Sequence, residues 1–200
     1  MILGYRIVTF LLAGGYFVEM FTRQGLHMFH YLTIWGLTAS LVCAGMMLYH
    51  TLVVETRRFN FFSATTFCLN IVIMVLYWKL YFKDPHLLYA DEPQLPWYRD
   101  DYLHLLGPVL QCIDSLFIYC AFRIQRVAAL CAYYLASVCY MILSETLFHL
   151  PYPFMTHFTF YERFLFYQKG LIIGTTAFLI ALFVSNAIEK KRFNPLLRSV

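Results

Sequence analysis

Long apolar runs and short polar breaks alternate along the chain, and the runs share one length. A hydrocarbon core of roughly 30 Å needs about 20 apolar residues of helix. Stretches of about that length recur at 3–20, 30–54, 60–82, 101–122, 127–148 and 164–188. Between them lie Thr22-Arg23-Gln24-Gly25, Glu55-Thr56-Arg57-Arg58, a Pro-containing stretch from Lys83 to Asp100, Arg123-Ile124-Gln125-Arg126, and His149 to Arg163. Each break is polar enough to sit in headgroups or water. The runs show no strand-like alternation and none is about ten residues long, which argues for helices over a membrane barrel. The pattern predicts an all-α polytopic membrane protein, a bundle of about six transmembrane helices forming a single domain over 1–200, with no internal repeat or low-complexity segment. The first run, Leu3 to Met20, reads as a retained span and not a signal peptide, because Glu19 sits near its end and no small-residue cleavage site follows.

Composition agrees. Apolar residues make up 61% and charged residues 13%, against roughly 45–50% and about 25% in soluble domains, which excludes a soluble globule of this size. The net charge of +4 does not point to nucleic acid, because the basic residues are scattered at helix ends and form no stripe. All six cysteines fall inside apolar runs without a C-x-x-C pair, so buried free thiols are expected, not a disulfide framework. Lys and Arg are biased toward the side that would hold both termini and the second and fourth breaks. Arg6, Arg57, Arg58, Arg123, Arg126, Lys190, Lys191, Arg192 and Arg198 make nine of fifteen. By the positive-inside rule both termini face the cytoplasm, or the matrix in a mitochondrial membrane.

The ionisable residues inside the runs are unevenly spread, and such residues usually face the bundle interior. Glu19, His30, Lys79, His104, Glu145, His149 and Lys169 all fall near the non-cytoplasmic ends of their helices. For Glu19, Lys79 and Lys169 the shallow position fits snorkelling to the interface. Thr33 and His104 each lie in the first turn of their helices on that same face, at matching depth. A threonine hydroxyl needs a base to become a nucleophile, and neutral histidine is the usual one near pH 7. Unpaired N–H groups at a helix start, here His30 to Thr33, suit a developing oxyanion. Asp100 and Asp101 precede His104 by four and three residues, so one can orient the imidazole while the other caps the helix. Spacing alone leaves a cap or a packed side chain as the ordinary reading of Thr33. Asp114, about halfway along the fourth run, needs a partner such as Tyr49, His50, Asn70 or Lys79, or protonation. Glu145 is a supporting candidate at the same end as His104. His27 and His30, with His149 and His157, form no paired ligand motif, so no metal site and no cofactor are expected.

Three short motifs then bring in a family. Tyr31-Leu32-Thr33-Ile34 resembles the entry to the second helix in the androgen-induced / androgen-dependent TFPI-regulating protein family. Pro96-Trp97 before His104, with Pro108 and Leu110 after it, looks like that family's loop and histidine helix, and Tyr152-Pro153-Phe154 resembles its Tyr-Pro-Phe before the last helix. The resemblance implies a six-helix membrane threonine hydrolase of fatty acid esters of hydroxy fatty acids, with Thr33 in the nucleophile position and His104 in the base position. Mammalian members carry Asn-His-Gly just before the histidine, where this chain has Asp100-Asp101-Tyr102. The run from His104 through Pro108 to Asp114 looks more like related bacterial six-helix proteins.

Two functional readings follow. The first is an intramembrane hydrolase of lipid esters that admits substrate sideways from the bilayer into a cleft between the second and fourth helices. It requires Thr33 and His104 within hydrogen-bond reach beside a cavity. The alternative is a non-enzymatic structural or lipid-binding subunit of a larger membrane complex, such as a respiratory one, with that pair apart or plugged. A proton relay through Asp114, Lys79 and Glu145 ranks third, because these groups cluster at one face. The expected partners are membrane lipids, and other membrane subunits under the second reading, but not nucleic acid. The expected location is integral to a membrane, whether endomembrane, plasma membrane or mitochondrial inner membrane.

Overall fold

A computed structural model of the chain describes residues 1–53, 59–89, 96–148, 150 and 152–193, with side chains as far as 190 apart from residue 89. The described residues form helices and connecting turns, with no strand among them. The long helices are α1 (Ile2–Gln24), α2 (Leu32–Val53), α3 (Asn60–Lys83), α4 (the run 97–118), α5 (Arg126–Thr146) and α6 (Phe160–Phe193). Five of these, all except α4, are long and apolar enough to cross a membrane. They match the predicted spans to within a few residues at each end.

α4 departs from the expected 101–122 in both bounds and character. It is built from α-helical Trp97–Asp101, a π turn at Tyr102–Leu106, α-helical Gly107–Ile113 and a second π turn at Asp114–Ile118. Pro108 explains the first π turn. Its ring would clash with the carbonyl of residue i−4, which is His104, and it has no N–H to donate there. The ladder widens by one residue, so that the Gly107 N–H bonds to the Tyr102 carbonyl. The freed His104 carbonyl accepts the Trp78 indole N–H from α3 at 3.0 Å. At the other end the helix stops at Ile118, four residues short of the predicted end. Cys120 takes a left-handed conformation (φ 58°), and the Asn60 amide donates to the carbonyls of Cys120 and Ala121 at 3.3 and 3.1 Å.

The centre of the bundle is α3, which packs against α2, α4, α5 and α6. It is apolar around most of its circumference, as a helix enclosed on all sides should be. One core cluster joins α3, α5, α6 and the turn after α4 through Phe67, Cys68, Phe122, Tyr133 and Phe178. A second joins α1, α2 and α4 through Ala13, Met28, Ile34, Leu37 and Tyr102.

Side-chain contacts place the start of α1 and the end of α6 at one end of the bundle. Arg6 donates to Thr51 Oγ1 near the end of α2 at 2.6 Å. His50 packs edge-on against Tyr119, whose hydroxyl accepts the Phe59 N–H, and beyond that turn Arg123 pairs with Glu189 and Arg126 with Asn186. The opposite end carries its own ion pairs, Arg99 with Glu19 and Arg163 with Glu145. Lys79 and Lys169 are exposed there, as snorkelling side chains would be.

Candidate functional site

At that opposite end, α1 terminates on Gly25, whose positive φ of 57° suits a residue without Cβ. A 3₁₀ segment, Gly25–His30, then turns the chain into α2. This sets Thr33 in the first turn of α2 with its hydroxyl facing α4. Thr33 Oγ1 lies 3.2 Å from His104 Nε2.

His104 is only 6% exposed and is held on every side. Its Nδ1 lies 3.0 Å from both the Asp100 carbonyl and the Asp100 carboxylate Oδ1. The Tyr77 ring stacks flat on the imidazole, centroids 3.6 Å apart and planes 5° apart, and its hydroxyl donates to Asp100 Oδ2. In a neutral imidazole, the two acceptors at Nδ1 select the tautomer with its proton there, which leaves the Nε2 lone pair toward the threonine. A hydroxyl facing the basic nitrogen of an imidazole whose other nitrogen is held by a carboxylate is the arrangement that general-base activation requires.

The pair opens onto a cavity of about 220 Å³. Leu103 and His104 are the α4 residues on its wall. α3, α5, α6 and the 152–155 turn supply most of the remainder, with Val72, Leu76, Met141 and Phe166 among the apolar lining. The space therefore lies on the α3–α5–α6 side of the pair, not in a cleft between α2 and α4 as the sequence suggests. No Lys, Arg, Asp or Glu lines it among the described residues.

The other sequence candidates divide. Asp100 joins the site. Asp101 is exposed and makes no side-chain cap. Glu145 does not touch the pair; it holds Arg163 through two carboxylate contacts of 2.9 Å and accepts the Tyr167 hydroxyl at 2.9 Å, and Tyr167 lines the cavity. Asp114 faces none of the partners expected for it. It pairs with Arg6 of α1 at 2.9 Å, both side chains less than a tenth exposed, and Arg6 also donates to the Met47 carbonyl at 3.0 Å. Asp114 lies ten residues beyond His104, about 15 Å along the helix, so it is remote from the pair. His30 stacks on Phe148 at 4.6 Å and meets His27 edge-on. His149 lies outside the described residues, and no group of three metal-ligating side chains gathers among the described ones.

Two residues of the site are not among the site candidates drawn from the sequence. Tyr77 could not be found by spacing, since its role depends on how α3 packs on α4. Tyr152 did carry a signal, as the first residue of the Tyr-Pro-Phe motif. Its hydroxyl accepts the Leu32 N–H at 3.2 Å and its side chain engages Thr33 and Tyr140, while burial pushes the phenol up and keeps it protonated. Of the N–H groups expected to face an oxyanion, Tyr31 bonds instead to the Met28 carbonyl at 3.1 Å and Leu32 to Tyr152.

Residues 5–186 match the family described as FAR-17a/AIG1-like protein. The chain belongs to this family. The match covers nearly all of the bundle, from the first turns of α1 to within a few residues of Glu189, and it is the androgen-induced family that the three short motifs resemble. No curated protein and no solved structure matches the chain. A FAR-17a/AIG1-like chain with this sequence is thus an integral membrane protein whose Thr33, His104 and Asp100 meet at one end of the bundle.

Proposed function

We propose that the protein is an intramembrane hydrolase of lipid esters, fatty acid esters of hydroxy fatty acids or similar, with Thr33 as nucleophile and His104 as general base. The observation that carries this reading is the Thr33–His104–Asp100 chain opening onto a mostly apolar cavity. A subunit with only a packing role gives no reason for these groups to meet beside an open space.

Thr33 Oγ attacks the ester carbonyl as His104 Nε2 takes its proton, forming a tetrahedral oxyanion. The Tyr152 hydroxyl, which engages Thr33, and the Thr33 N–H are the donors assigned to that oxygen in this reading. Collapse expels the alcohol, which takes the proton back from His104 and leaves an acyl group on Thr33. Water then enters, gives a proton to His104 and attacks the acyl carbon; the carboxylic acid leaves and Thr33 regains its proton. Asp100 stays ionised throughout and stabilises the imidazolium that forms twice in the cycle.

The test is turnover of a panel of lipid esters, with labelling by a fluorophosphonate probe, in purified wild type, Thr33→Ala and His104→Ala. The expected result is turnover and a probe adduct on Thr33 in wild type, with both lost in each folded variant. A well-folded wild type that neither labels nor turns over any ester refutes the reading.

A further inference from the structure

Residues that line the cavity lie on both sides of Thr33 along the bundle axis. Toward the membrane surface it is bounded by Gln24, Leu88 and Met155, and Gln24 brings a buried side-chain oxygen without a hydrogen-bond partner. Toward the bilayer centre it runs between α3, α5 and α6, along Val72, Ile73 and Leu171, as far as Leu69 and Tyr133. Leu69 is eight residues nearer the terminal end than Tyr77, about 12 Å at 1.5 Å per residue.

Tyr133 is the deepest α5 residue on the wall. It is 1% exposed, and its hydroxyl donates to the Gly170 carbonyl of α6 at 2.8 Å. The ring lies across α6 in space that only a glycine leaves: a Cβ at Gly174 would collide with the tyrosine hydroxyl and the ring carbon that bears it. Beneath it Phe122, Ala129, Ala177 and Phe178 are close-packed. The inner arm therefore ends on a ring fixed by a hydrogen bond and by packing.

The geometry points to Tyr133 as a chain-length gauge: the inner arm receives one straight acyl chain, and the ring sets the longest chain accepted. This rests on the hydrolase reading for its kinetic form, since the acyl half must lie where Thr33 can reach its carbonyl. An extended chain advances about 1.25 Å per carbon, from C–C bonds of about 1.5 Å and angles of about 111°. An arm of about 12 Å thus accepts roughly nine or ten carbons. The bulkier alcohol half occupies the outer arm beside Gln24.

The experiment uses the full chain in detergent, with p-nitrophenyl esters of straight-chain acids of graded length for turnover. Free fatty acids of the same lengths are measured in parallel by displacement of a fluorescent fatty acid. Wild type should show a cut-off near ten carbons in both measurements. Tyr133→Ala should lengthen it by about two to four carbons, from the space the ring vacates. Ser137→Leu, one helical turn nearer the site, fills the arm and should shorten it, so the idea stays exposed if Tyr133→Ala does not fold. A binding cut-off that moves in a protein without turnover would keep the gauge and sink the hydrolase. Turnover or binding with a cut-off that neither folded variant moves would sink the gauge and leave the hydrolase standing.

Discussion

Two aspartates stand side by side before His104, and one hydrogen-bond direction separates them. Asp100 is one helical turn before the histidine and meets its Nδ1 with both carbonyl and carboxylate, whereas Asp101 faces out and is exposed. Asp100→Asn keeps the shape but removes the charge that stabilises an imidazolium, and it permits the wrong tautomer. Turnover should fall by about 10²–10⁴-fold, while Asp101→Asn leaves it unchanged. Equal losses in the two, measured as kcat on the best ester, would show that Asp100 does not orient the base. At this scale Thr33 and His104, with one of two adjacent aspartates, were legible because depth in a bilayer and position along a helix are both one-dimensional. Which aspartate would turn inward was not, because spacings of three and four residues both bring a side chain near His104 and the packing of α4 selects between them. Tyr77 was invisible for a related reason: only the packing of α3 on α4 lays its ring on the imidazole.

α4 shows how an element can be recognised and still be misdrawn. Its apolar run announces a helix, but the Pro108 ring interrupts the ladder at the His104 carbonyl, and the indole of Trp78 occupies the place of the lost donor. A regular helix would turn residue 104 relative to α2, which predicts that the interruption helps aim the imidazole at Thr33. Pro108→Ala restores a donor for the His104 carbonyl and competes with Trp78. The variant should fold at least as stably as wild type and lose about tenfold to 10²-fold in turnover, the scale of a displacement of about 1 Å in a reacting group. Thermal unfolding in detergent and kcat on the same preparation check this, and unchanged turnover would mean that the π turn does not position the histidine. The five other spans were legible because length and apolarity alone determine them. The end of α4 at Ile118 was not, since Asn60 on another helix holds the turn that stops it.

Across the whole molecule, the polar side chains of α4 determine whether the protein crosses the membrane five times or six. α4 carries Gln111 and Asp114 in its interior, and each is answered from within the bundle: Gln111 donates to Ser115 at 2.8 Å and Asp114 pairs with Arg6. Groups satisfied in this way no longer oppose a place in the bilayer. The pair also explains why hydropathy alone underrates α4 and why Arg6, neutralised inside the bundle, is not a topology signal. Replacing one partner leaves an uncompensated buried charge, so Arg6→Met or Asp114→Leu should each cost about 3–5 kcal/mol, and the double replacement should recover most of it. Thermal unfolding of the three variants checks this, and additive losses would dissolve the pair as a unit. Without Arg6 the terminal side still holds eight basic residues against six, so the positive-inside argument keeps its sign. Since α1 begins and α6 ends at the same end of the bundle, crossing by all five long apolar helices predicts an even total, with α4 as the sixth. Reporter fusions at residues 1 and 200 should therefore both report the cytoplasmic or matrix side, and a tag in the 84–96 segment the opposite one. Termini on opposite sides would mean that α4 does not cross, and the Thr33–His104 pair would then need an explanation outside a six-crossing bundle.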